Sequence, residues 1–249
     1  MYLIVSPQVR FTMTKTQTLG TVPLAAFVLA FLGACATPAP TIQSGQDAER
    51  SFDGLYKVDN SQADVAWARA DFDISRYTKL MLISSGFEYR DVTNRGRTQM
   101  ERSRGGPFYI DQGRRARFEQ LVAEIFAEDF QQIENFEIVS EPGPDVMIVR
   151  GTLLDIVTYV PPTEGVAGNI DIYLSNIGEA TLVLELRDSE TGTILARSVD
   201  RRAAERMGGQ MMQSNRVTNT AEVRRLIRFW SQRLREGLDG FVEQAASSN

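Results

Sequence analysis

One cysteine, Cys35, stands in a chain of 249 residues, directly behind an apolar run near the N-terminus. No internal disulfide can therefore hold the fold, which has to rest on its buried apolar core. Histidine is absent altogether, so histidine triads and histidine metal sites are excluded. Hydrophobic residues make up 43% and charged residues 24%, ordinary values for a globular domain, and the length leaves room for one of about 200 residues after a leader. The formal net charge is -5; residues 1–34 contribute Arg10 and Lys15 and no acid, so the remainder carries -7. That balance argues against a nucleic-acid partner, whose binding domain would be basic.

Residues 1–34 read as a signal peptide: basic Arg10 and Lys15, an apolar run from Val22 to Leu32, then the small Gly33 and Ala34. The run is shorter than the roughly 20 residues of a membrane-spanning helix. Met13 is an alternative start to Met1. The tetrapeptide Leu32-Gly33-Ala34-Cys35 resembles the lipobox of bacterial lipoproteins. The resemblance implies lipid on the Cys35 thiol, cleavage just before it, and a membrane partnership through that lipid, in which case Cys35 serves neither as nucleophile nor as metal ligand. Ala36 in place of aspartate implies the outer membrane, with the domain facing the periplasm. Thr, Pro, Ser and Gly from Ala36 to Gln46 predict a flexible tether, so residues 35–50 are assigned to lipidated cysteine and tether, and 51–246 to a single domain.

Within that domain Ala63 to Arg69 reads as a short helix or an aromatic-anchored loop. Lys79 to Ser84 is the first clear strand, continued past Ser85-Gly86 by Phe87 to Val92. Phe118, Leu121, Val122, Ile125, Phe126 and Ile133 recur on one helical face and predict a helix over 113–133, closed at Asn135. The strand Phe136 to Val139 follows, and strand-helix-strand order predicts a parallel pair. Pro142-Gly143-Pro144 turns into a long strand from Val146 to Val157, with Gly151 and Asp155 marking a bulge or the point at which the strand leaves the core. After an insert over 161–176, Ala180 to Arg187 alternates and turns at Asp188-Ser189-Glu190-Thr191-Gly192 into Thr193 to Arg202, a hairpin. A second helix spans 219–245. The expected fold is α+β: a two-layer sandwich, its mostly antiparallel sheet of about five strands carrying two long amphipathic helices on one face.

Ala70-Asp71-Phe72 leading to Tyr77 and the Leu80 strand, Pro142-Gly143-Pro144-Asp145-Val146 leading to Gly151, and the Asp188-Ser189-Glu190-Thr191-Gly192 turn, together with the lipobox, resemble the domain-of-unknown-function 3313 lipoproteins. The resemblance covers about Ser51 to Val242. It implies fold and location and brings no reaction, cofactor or catalytic residue with it.

Arginines crowd the segment from Arg90 to Arg117, and Arg95, Arg97, Arg102 and Arg104 are the candidate contacts to lipopolysaccharide, anionic lipid or an acidic partner face; the competing reading is a solvated loop. Met207, Met211 and Met212 offer thioethers to copper(I), but flexible packing ahead of a helix explains them better, and no metal site is expected. Carboxylate pairs for hydrolysis would be Asp71 with Asp73 or Asp155 with Asp171, and a Ser/Lys dyad would have to use Lys57 or Lys79; caps, turns and strand edges account for them equally. No Walker-type or dinucleotide-binding loop occurs, so no cofactor is expected. The chain reads as a non-enzymatic envelope lipoprotein that binds another envelope component, the alternative being a lipid, lipopolysaccharide or glycan binding module on the Arg90 to Arg117 segment. Nothing in the sequence sets the oligomeric state.

Overall fold

A computed structural model describes residues 38–92, 106–161, 172–205 and 209–247. The chain divides into two units, Met1–Thr37 and Pro38–Asn249, and the described residues belong to the second. In chain order they form β1 (Thr41–Ile42), β2 (Tyr56–Asp59), β3 (Val65–Ala68), a single 3-10 turn (Ile74–Arg76), β4 (Lys79–Tyr89), α1 (Gln112–Phe130), β5 (Glu137–Ile138), β6 (Val146–Thr158), β7 (Tyr173–Leu174), β8 (Asn176–Asp188), β9 (Ile194–Glu205), β10 (Met212–Gln213) and α2 (Arg216–Ser247).

Eight strands join in one sheet, in the order β1-β2-β3-β9-β8-β6-β4-β5, and β10 pairs with β7 in a separate ribbon. Only β4 with β6 and β4 with β5 run parallel; the remaining neighbours are antiparallel. The strand, helix and strand of β4-α1-β5 thus give the expected parallel pair.

The expectation of about five strands is too low. The additional ones in this sheet, β1, β2 and β3, are two to four residues long, too short for a period to register. Val65–Ala68 is neither helix nor loop: it is a strand because it pairs with Val199 to Ala196 of β9, a partner far along the chain. The segment assigned to the tether likewise enters the sheet at Thr41 and Ile42, opposite Asp59 and Val58, and the Gln43 side chain accepts from Glu49 N and donates to Asp59.

Local chemistry sets the element ends. Asp111 caps α1, its carboxylate accepting from Arg114 N at 2.9 Å. The helix stops at Phe130, earlier than the apolar spacing to Ile133 implies, and backbone N–H groups of Glu134 and Asn135 turn to Asp239 of α2. Asn215 accepts from Thr218 N at 3.0 Å, while Thr218 Oγ1 accepts from Asn215 N at 3.2 Å. This reciprocal cap starts α2 at Arg216, ahead of the apolar stripe. At Asp155 the bulge anticipated in β6 is real: φ is 54° there, and the register to β8 shifts between Leu154 and Val157. Gly151 carries no such shift against β8, being paired with Leu184.

Apolar residues of β6 and β8 meet the two helices in two core clusters, one holding Met147 and Leu186 with Phe130 and Leu238, the other Leu153 and Leu182 with Ile125, Ile227 and Trp230. Gly178 shows how closely β6 and β8 approach at the bulged end. A Cβ built there would lie 2.4 Å from Val157 O, a backbone atom of the neighbouring strand. Gly178→Ala is therefore expected to destabilise the domain by about 1–3 kcal/mol, because the strands themselves must shift. Urea denaturation checks this, and an unchanged midpoint would contradict the close approach.

Candidate functional site

Alternate residues along a strand point to opposite faces, and directly paired residues share a face. Leu182, Leu184 and Leu186 of β8 point toward the helices, so Thr181, Val183, Glu185 and Arg187 point away from them. Register carries this second face across the sheet. One row runs Gly86, Thr152, Val183, Val199, Val65, and the row beside it Ile83, Arg150, Glu185, Arg197, Trp67, Lys57. None of these side chains belongs to either core cluster, and all are half-buried or exposed.

Two ion-pair networks flank the small-residue row. In the first, Arg197 donates to Glu185 Oε1 at 3.0 Å and to Asp53 Oδ2 at 2.7 Å, while Arg187 donates twice to Glu185 Oε2, at 2.9 and 2.7 Å. Burial alone would raise the Glu185 carboxyl, but the hydrogen bonds from Arg187 and Arg197 outweigh it and hold it below its ordinary value. The same contest, with Ser51 and Arg197 as donors, lowers Asp53. Phe52, 95% exposed, stands at the rim with its ring 5.4 Å from the Arg197 guanidinium.

The second network lies at the bulged end. Arg90 grips Asp155 with two donors and reaches Glu179 at 3.2 Å. Glu179 also accepts from Arg201 at 2.6 Å and from the Tyr159 hydroxyl at 3.0 Å. The Arg90 hydrogen bond holds the Asp155 carboxyl low, and the left-handed backbone of Asp155 aims that carboxylate at Arg90. Each network joins two guanidinium groups to two carboxylates.

Cys35 and the lipobox residues Leu32, Gly33 and Ala34 lie outside the described residues, as do Arg95, Arg97, Arg102 and Arg104. Elsewhere in the arginine segment, Arg90 is held by Asp155 and Glu179, Arg114 by Asp111, and Arg115 lies over the Tyr89 and Tyr109 rings at 4.3 and 5.5 Å. Of the candidate carboxylates, Asp71, Asp73 and Asp155 are each engaged by donors of their own chain. Asp71 is held by Arg69 through two bonds of 2.8 and 2.9 Å, and Asp73 caps the 3-10 turn through Ser75. Asp155 is held by Arg90, and Asp171 lies outside the described residues. Lys57 pairs with Glu49 and Lys79 with Asp145. Met211 and Met212 are exposed, and Met207 lies outside the described residues.

Among the described residues no group of three or more Cys, Asp or Glu is arranged to hold a metal ion, and no helix is long and apolar enough to cross a membrane. The Asp53-Arg197-Glu185-Arg187 ladder escaped sequence reading. Alternation along the hairpin placed Glu185 and Arg187 on one side of β8, but Asp53 is 144 residues from Arg197, and no local signal joins them.

Two helices and a large, mostly antiparallel sheet make this an α+β protein with a second sheet face carrying balanced ion pairs. The model of the family "Protein of unknown function (DUF3313)" matches residues 46–234, and the chain belongs to that family. No curated protein matches it. Among solved structures it is similar to the PelC dodecamer from Paraburkholderia phytofirmans, at 12% identity and TM-score 0.31, over 63% of this chain and 88% of that one. A neuraminyllactose-binding hemagglutinin homolog from Helicobacter pylori is similar at 10% identity and TM-score 0.35, over 70% and 92%. A DUF330 protein from Xanthomonas campestris is similar at 11% identity and TM-score 0.37, over 69% and 90%.

Proposed function

We propose that this chain is a non-enzymatic envelope lipoprotein, held to the outer membrane by lipid on Cys35, whose domain faces the periplasm and binds another envelope component. In this reading the domain is a two-layer sandwich, with helices on one face of the sheet and the contact made by the other. The observation that carries it is that second face: apolar Val65, Trp67, Val183 and Val199 beside charges already neutralised within the chain. A face meant only for water would be polar at these positions. Support for a binding role over hydrolysis comes from Asp71, Asp73 and Asp155, each already engaged by a donor of its own chain, with no carboxyl among them raised into the range a general acid needs.

The anchor is tested by Cys35→Ser. That variant is expected to accumulate as a precursor that still carries its leader and takes up no labelled fatty acid, whereas the unaltered chain is cut and labelled. Normal cutting of the variant, seen by intact-mass measurement, would remove the lipoprotein reading.

A further inference from the structure

We propose that the sheet face turned away from the helices docks against the same face of a second copy of this chain. The inference rests on reading that face as a contact surface, and it does not depend on the lipid anchor.

Three observations choose a second copy. First, the face suits itself electrostatically. A surface of one sign repels its own image across a two-fold axis, but here Arg187 and Arg197 are matched by Glu185 and Asp53, and Arg90 and Arg201 by Asp155 and Glu179. With each cluster balanced internally, neither brings an unpaired charge against its image across the two-fold axis.

Second, relief is graded across the face. Gly86, Thr152, Val183, Val199 and Val65 form a row of small residues, bordered by the longer side chains of Arg150, Glu185, Arg197 and Trp67 on one side. The built Cβ of Gly86 meets nothing within 4 Å. Such a trough accepts the ridge of an identical surface turned about a two-fold axis, and Phe52, projecting at the rim, supplies an exposed aromatic of the kind enriched at interfaces.

Third, the size is right for a weak pair. Five strands at about 4.8 Å spacing and about seven residues at roughly 3.3 Å each give a footprint near 500 Å². That lies below the roughly 800 Å² per partner of a standard stable interface. The expected pair is therefore reversible, with dissociation in the micromolar range or weaker, and confinement on one membrane would raise its occupancy.

Val183 lies at the centre of the trough, paired with Val199 on one side and Thr152 on the other. The test uses the full chain in its membrane and then purified. Val183→Cys is expected to yield a homodimer on oxidation or with a short bis-maleimide, while Glu124→Cys, exposed on α1, is not. Val183→Arg is expected to weaken self-association, measured by sedimentation equilibrium, by at least about tenfold, since like charges then face each other. Circular dichroism checks that its fold is kept; if it is not, the cross-link decides.

Dimerisation unchanged in folded Val183→Arg would overturn the proposal by placing the contact on another surface. A monomer whose Val183→Cys form links to a different protein would overturn the second copy and leave the face as a contact surface. A monomer with no product at all would overturn both.

Discussion

Replacing Trp230 by alanine is expected to destabilise the domain by about 4–5 kcal/mol and to lower its melting midpoint by about 10–20 °C. Trp230 lies on α2, buried beside Leu182, Ile125 and Ile227 in the cluster that joins both helices to the sheet. Its loss opens a cavity the size of an indole between elements that cannot easily collapse together. It also removes the donor to Asp200, which accepts from Trp230 Nε1 at 2.7 Å while only 7% exposed. The remaining partner of Asp200 is Arg202 at 2.6 Å, whose guanidinium lies 4.3 Å from the Phe229 ring. Trp230→Phe separates the two losses in large part: it keeps most of the apolar volume and removes the N–H, so a cost of about 1–2 kcal/mol is expected. Thermal melts of both variants check this. If Trp230→Ala melted within a few degrees of the unaltered chain, the helices could not be docked on the sheet as described.

The stripe containing Trp230 is legible in the sequence because helical spacing repeats over many turns, so single mismatches at Gly237 and Gly240 do not hide it. The hairpin of β8 and β9 is legible for a similar reason, since its partners are adjacent and its turn residues lie between them. Thr41–Ile42, Tyr56–Asp59 and Val65–Ala68 are not legible as strands. Each is an edge or near-edge piece whose partner does not show in its own few residues, and Val65 pairs with Val199, far along the chain. Asp155 is intermediate. A bulge in β6 could be suspected from a lone acid in an apolar run, but the arginine that needs it is Arg90 of the segment after β4, 65 residues away. Strand type follows from local pattern; which charges share a face follows from register, and register is set between strands.

The ion-pair ladder is the clearest product of that register, and its removal leads to the second large effect. Arg197→Leu is expected to cost about 2–3 kcal/mol at neutral pH and much less near pH 3. The Arg197 side chain is only 13% exposed and bridges Glu185 and Asp53, themselves 15% and 23% exposed. Deleting the bridge leaves Asp53 with Ser51 and Glu185 with Arg187 alone, short of the fully buried case but well beyond an exposed surface pair. Both carboxyls are held below their ordinary values in the folded chain. Their contribution is therefore complete above the unfolded-chain values of about 4 and is lost as pH falls through the lower folded ones. In Arg197→Leu the burial of Glu185 is opposed by one arginine fewer, so its carboxyl rises and protonation becomes less costly to the fold. The two chains should then converge in stability as the pH drops from about 5 to about 3, which urea midpoints across that range would record. A difference that stayed constant down to pH 3 would show that Arg197 acts by filling space over β8 and not by its charge.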